Sequence, residues 1–288
     1  MFLLMWNMVV LIWAIAGMGL MVLVGQTGQA SLGHAAFLAV GCYANVLLQE
    51  KLGFPFILSF PLAGVIAGLA GVLLALPTTR LHGIYLAIAT LAISILADDI
   101  IVLAEPLTNG VIGLFAPTID IFGLKFDRYA NPDGFYWLVL AVAVAVVLVY
   151  RNLLRSPLGR SFAAVRDSEV SAQAMGVNVA RTKAISFGIS TAITGLAGAL
   201  FADLNRFVSP TMFSWQLSGE FIVFIIIGGT ARLFGPVVGA CLFVVLEHYI
   251  GGWSDYWHIW FGLLLLVIVL FGRGGVIGLI AGKARAHG

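Results

Sequence analysis

Residues 2–24 read FLLMWNMVVLIWAIAGMGLMVLV, and residues 25–34 read GQTGQASLGH. The first run carries no charge. It is long enough to cross the hydrocarbon layer, which takes roughly 20 apolar residues in a helix that satisfies its own backbone hydrogen bonds. The second run is polar and glycine-rich, and another apolar run follows it. Glycines and small polar side chains at membrane depth fit a helix break, tolerated where it is enclosed by protein or lines a cavity. The freed backbone groups and half-helix ends there can bind a polar solute. On pattern alone the segment is equally an ordinary interfacial loop.

Outward from this stretch the same reading repeats. Residues 54–76 are uncharged, and residues 84–104 are interrupted only by Asp98 and Asp99. Residues 135–150, 184–202, 233–250 and 258–271 complete the clear spans, while 34–48 and 221–229 are shorter. The chain is 61% hydrophobic and 10% charged, with a mean hydropathy of +1.06, which excludes a soluble globular domain of this size. The expected fold is all-α: a polytopic membrane protein of about nine transmembrane helices with one broken helix, residues 1–288 forming a single membrane domain. The first run lacks a basic leader and a small-residue cleavage pattern, so it is expected to stay in the mature chain. Cys42 and Cys241 lie inside apolar runs without ligand partners and read as packing residues.

Arg151, Arg155, Arg160, Arg166, Arg181 and Lys183 cluster in one connection, which the positive-inside rule places in the cytoplasm. Counting spans from there puts Arg80, Arg232, Arg273, Lys283 and Arg285 on the same side, and Lys51, Lys125, Arg128 and Arg206 outside. The N-terminus is then external and the C-terminus cytoplasmic. The external connection 105–134 is rich in Gly, Pro, Asn and Asp and reads as turns with a hairpin over 119–126. The cytoplasmic connection 151–183 has helix grammar: Ser156-Pro157 as a start, a short helix from Glu169 to Met175, and Gly176 as a stop. A basic loop is commonly a solvated linker, but this length and grammar favour a docking element.

Small residues four apart, Gly64 and Gly68, Gly235 and Gly239, and the series Ala184, Gly188, Ala192, predict close helix contacts in lipid. No phosphate loop, His-Glu-x-x-His or Gly-x-Ser-x-Gly is present, so any ATP that drives transport is bound by another subunit. Glu220 opens an apolar run and is a candidate for a functional charge in the membrane; Asp98 and Asp99 read as the watered end of a span. His34 and His82 are single histidines without metal-ligand spacing.

These segments together resemble the branched-chain amino acid importer permease family, in its M-type subunit. The resemblance is carried by 25–37, by 80–91 (RLHGIYLAIATL), by 108–114 (TNGVIGL), by 156–160 through 176–178, and by 220–240, in family order over nearly the whole chain. It implies the pore subunit of an ATP-driven importer in a bacterial inner membrane. Its partners would be a second homologous permease, two cytoplasmic ATP-binding cassette subunits and a periplasmic solute-binding protein, with no nucleic acid. This chain would bind no cofactor, since the partners use the ATP. The implied cargo is branched-chain or other small hydrophobic amino acids; urea, amides and small aromatic acids are the alternative within the family.

By the same resemblance, Gln26, Thr27, Gly28, Gln29, Ser31, Thr90, Asn109 and Gly110 fall near the translocation path, to which Glu220 is added as a membrane charge. Arg160, Arg166, Asp167, Glu169, Ala172, Met175 and Gly176 match the family's coupling helix. Two departures stand out: family members often begin with one more span, and Thr230-Ala231-Arg232 replaces an uncharged glycine-containing turn. A secondary transporter without an ATPase would want ionisable residues deep in the bundle and inverted repeats, and neither stands out. A membrane-embedded enzyme would want a catalytic constellation, which is lacking as well.

Overall fold

The computed structural model describes residues 2–79, 81, 83–121, 124–128, 131–229 and 233–251, with the isolated positions 259, 262, 263, 266 and 275. Helix α1 (Phe2–Met21) passes into a π-helical turn (Val22–Thr27), and α2 (His34–Glu50), α3 (Phe56–Thr78), α4 (Ile84–Leu103) and the short α5 (Glu105–Thr108) follow. The next connection holds β1 (Leu114–Phe115), β2 (Ile119–Ile121) and β3 (Leu124–Phe126). Then come α6 (Pro132–Arg155), α7 (Pro157–Asp167), α8 (Glu169–Ala174), α9 (Val179–Asn205) and β4 (Phe207–Val208). A 3-10 turn (Pro210–Phe213), α10 (Trp215–Gly228) and α11 (Gly235–Gly251) complete the described elements.

Among the described residues, six stretches are long and apolar enough to cross a membrane: Leu4–Thr27, Phe56–Thr78, Ile84–Leu103, Pro132–Arg155, Val179–Asn205 and Pro210–Gly228. Helix α2 has 17 residues, and Gly235–His248 is a further short apolar helix. The all-α polytopic reading therefore holds. Most of the expected span 258–271 lies outside the described residues, with the charges Arg80, Arg232, Arg273, Lys283 and Arg285, His82 and the turn residues Thr230 and Ala231.

Helix α9 is the hub. Helix α1 runs antiparallel to it: the Trp13 and Phe201 rings meet at 5.2 Å, and Gly19 sits against Ser190 and Thr194. Helix α2 runs parallel to it, His34 meeting Ser190 and Asn45 meeting Asp203. Helix α3 is antiparallel again, with Gly64 against Leu196 and Gly68 against Ala192. A Cβ on Gly41 would strike the backbone of Gly195, so α2 and α9 touch main chain to main chain. The small residues read from the sequence thus set helix spacing: Gly68 faces Gly188 and Ala192, and Gly239 lies on the Phe224 carbonyl.

Large aliphatic side chains point outward from the peripheral helices, among them Leu69 and Leu73 on α3, Ile88 and Leu103 on α4, and Val149 on α6. Hydroxyls and amides turn inward, as a bundle in lipid requires. The α1 span is 78% buried whereas that of α4 is 17% buried, so α4 lies at the edge.

Two boundaries differ from expectation. Helix α9 starts at Val179 because Asn178 caps it, accepting the Arg181 N–H, so Lys183 belongs to the helix and is buried. Helix α10 starts at Trp215 rather than near 221, because Glu220 is accommodated half-buried within it. The hairpin expected over 119–126 is present, and β1 pairs antiparallel with β4.

Candidate functional site

The polar stretch after the first span is a chain reversal enclosed by the bundle, not an interruption of one helix. The first helix winds on as a π-turn to Thr27, and Gly28 stops it in the left-handed region at φ 69°. Residues 28–33 then reverse the chain. The second helix starts at His34, running parallel to α9 where the first ran antiparallel. The reversal lies inside the bundle, with Gln29, Ser31, Gly33 and His34 buried.

Other spans satisfy its polar groups. Gln29 donates to Thr27 Oγ1 at 3.0 Å and to Ser186 Oγ at 2.9 Å. The Leu32 N–H donates to Thr90 Oγ1 on α4 at 2.9 Å. Helix α2 has no side-chain cap from its own N-cap residue, Gly33, and Ser218 of α10 accepts the Ala35 N–H at 2.9 Å instead. Ser190 Oγ donates to the Gly19 carbonyl at 2.6 Å and so accepts from His34 Nε2 at 2.8 Å. His34 Nδ1 is then the acceptor for Ser31 Oγ at 3.2 Å, which assigns a neutral Nε2–H imidazole tied at both ends. Gln26 donates to the Tyr150 hydroxyl at 2.9 Å.

Of the residues singled out from the sequence, Gln26, Thr27, Gly28, Gln29, Ser31 and Thr90 come together here. Asn109 and Gly110 do not: they follow α5 at the far end of α4, roughly 20 Å from Thr90 along the helix. Asn109 takes a left-handed φ of 61°, and its side chain donates to the Gly113 carbonyl, so the pair makes a turn. Glu220 lies two residues from Ser218 on α10, on the side of Glu247 in α11 rather than of α2. Tyr150, Ser186, Ser190 and Ser218 had not been singled out. The serines of α9 carried one signal, the four-residue spacing of Ser186, Ser190 and Thr194.

The helix pair that follows α6 joins this site directly. Ser156 caps α7 with Pro157 in its first turn, Ser168 caps α8 by accepting the Ser171 N–H, and Gly176 ends it at φ 84°. Glu169 binds the buried Lys183 at 2.7 Å and fixes α8 to α9. Ala172 packs inward, while Val170 and Met175 are 80% and 84% exposed. Arg160 is exposed. Arg166 pairs with Asp167 at 3.1 Å, and through Nη1 it donates to the Gly25 carbonyl of the π-turn at 3.1 Å. Its aliphatic stem lies over Gly28.

An inside-out helical bundle, built round a polar chain reversal and tied to a capped helix pair beside it, defines a polytopic membrane transport component. The chain belongs to the family described as "Branched-chain amino acid transport system / permease component", whose profile matches residues 2–271. It is 32% identical to the high-affinity branched-chain amino acid transport system permease protein LivM of Escherichia coli (strain K12), over 93% of this chain and 68% of that protein. It is 27% identical to a probable LivM of Methanocaldococcus jannaschii, over 77% and 68%. A more distant relative, the ribose import permease RbsC of Bacillus subtilis (strain 168), is 26% identical over 46% and 44%. No solved structure matches the chain. The family resemblance drawn from the sequence holds, and the chain is a transport permease rather than an enzyme.

Proposed function

We propose that this permease is the pore subunit of an ATP-driven importer of branched-chain or other small hydrophobic amino acids in a bacterial inner membrane. It pairs with a second homologous permease, receives solute from a periplasmic binding protein and is driven by two cytoplasmic ATP-binding cassette subunits, which use the ATP. The chain itself binds no cofactor. It crosses the membrane about nine times and ends in the cytoplasm. Gln26, Thr27, Gly28, Gln29, Ser31 and Thr90 shape the path around the reversal, with Asn109, Gly110 and Glu220 nearer its outer parts. Arg160, Arg166, Asp167, Glu169, Ala172, Met175 and Gly176 belong to the coupling element.

The observation that carries this reading is the α7–α8 pair. It is capped at both helix starts, pinned to α9 through Glu169 and Lys183, hydrogen-bonded to the reversal through Arg166, and presents Val170 and Met175 largely exposed. Exposed apolar residues on a fixed helix outside the membrane fit a protein docking surface. Co-expression with the ATPase subunits and reconstitution into vesicles tests it. The wild-type complex should take up leucine only with ATP and binding protein, and Val170→Asp with Met175→Asp should lose the ATPase on purification. Uptake that needs no ATPase subunit would overturn the reading.

A further inference from the structure

The buried residues of α4 are Leu86, Thr90, Ser94 and Ile101, and Asp98 is half-buried in the same row. Thr90, Ser94 and Asp98 recur every fourth residue and share one side of the helix, a row about 12 Å long. Thr90 is used by the reversal. Ser94 Oγ and Asp98 Oδ1 are buried with no hydrogen-bond partner among the described residues, and so is the hydroxyl of Tyr43, a residue of α2 that is 5% exposed. Tyr43 lies within electrostatic range of Asp98, and its ring is 6.2 Å from that of Phe213 in the 3-10 turn. Helix α4 touches α2, that turn and α10. Three unmatched polar groups therefore gather between α2, α4 and the start of α10.

A buried polar group left unmatched is destabilising, so three in one place call for a ligand that supplies the missing partners. The set is one carboxylate, which accepts only, and two hydroxyls, which donate and accept. A carboxylate complements an ammonium through a short charge-assisted bond, and hydroxyls complement both ends of a zwitterion. On the neighbouring face of α4, a cavity of about 190 Å³ between α2, α3 and α4 is lined by apolar residues, including Phe37, Val40, Leu74 and Ile101. It gives aliphatic surface beside the polar row.

Direction follows from the packing. Helix α4 parallels α2, because Thr90 meets Leu32 while Asp98 approaches Tyr43, and α2 parallels α9, which starts beside α8. Asp98 thus lies on the side of the bundle away from α7 and α8, with Ser94 and Thr90 leading from it to the reversal.

We propose that Tyr43, Ser94 and Asp98 form a transit site for the ammonium end of an α-amino acid, the first polar station before the reversal. The site rests on the importer reading above and adds residues to it. The test uses the complete importer in vesicles, with labelled leucine, binding protein and ATP, and records leucine uptake and ATP hydrolysis separately. Asp98→Asn keeps the shape and removes the charge. It should cut uptake at least about tenfold, as expected for one lost charge-assisted bond, with stimulated ATP hydrolysis retained. Tyr43→Phe and Ser94→Ala should each cut uptake by a smaller factor, and Asp99→Asn, at an exposed position, should leave it unchanged. Wild-type uptake in Asp98→Asn, or an equal loss in Asp99→Asn, overturns the site; if Asp98→Asn does not assemble, wild-type uptake in both hydroxyl variants does so. A wild-type complex that takes up no leucine instead overturns the importer reading.

Discussion

Ser190 makes two bonds at once, giving its proton to the Gly19 carbonyl and accepting from His34, so one hydroxyl joins α1, α2 and α9. Ser190→Ala leaves the imidazole N–H and a helix carbonyl without that partner in a dry setting, at a cost of about 1–3 kcal/mol. The thermal midpoint of the purified protein should fall by a few degrees, whereas Ser161→Ala, on the exposed surface helix α7, should leave it in place. Sequence reading reached Gln29 and Ser31 because a cluster of glycines and polar residues between apolar runs stands out locally, and Thr90 through the family resemblance alone. It did not reach their partners: Ser186 lies 157 residues from Gln29, and a serine within an apolar helix breaks no pattern. Nor did it separate Asp98 from Asp99, since their difference lies only in which way each faces.

Helix starts were legible where the cap is local. Ser156 and Ser168 each accept an N–H three residues on, and α7 and α8 begin there as read; Asn178 does the same for α9, whose start had been read at Ala184. The start of α2 could not be read this way, because its capping hydroxyl comes from Ser218, 183 residues away. At this scale the ion pair of Glu169 and Lys183 decides how firmly α8 is held. Glu169→Gln leaves a buried ammonium without its countercharge, a loss of about 3–5 kcal/mol when one partner of such a pair is removed. Leucine uptake should drop with basal ATP hydrolysis retained, and Glu169→Gln combined with Lys183→Met should regain much of the thermal stability that the single change loses.

Across the whole molecule, the apolar runs gave the class of fold, and the small residues gave which helices approach closely. Gly64, Gly68, Gly188 and Ala192, picked out as separate pairs, turn out to face one another across α3 and α9. Gly41→Val would drive a side chain into the Gly195 backbone; overpacking of this kind costs about 1–3 kcal/mol or more, and the yield of monodisperse protein should collapse. Orientation is a property of the entire chain. A cysteine at the exposed position Gln173 should react with a membrane-impermeant maleimide only after the cells are opened, and labelling of intact cells would invert the topology proposed here. How α1 and α2 share one reversal was not legible, because which way a chain turns at a glycine depends on what surrounds it. The tie from Arg166 to the Gly25 carbonyl has a further consequence: every residue type carries that oxygen, so the bond between α7 and the π-turn can be cut by side-chain replacement at one of its two ends only, position 166.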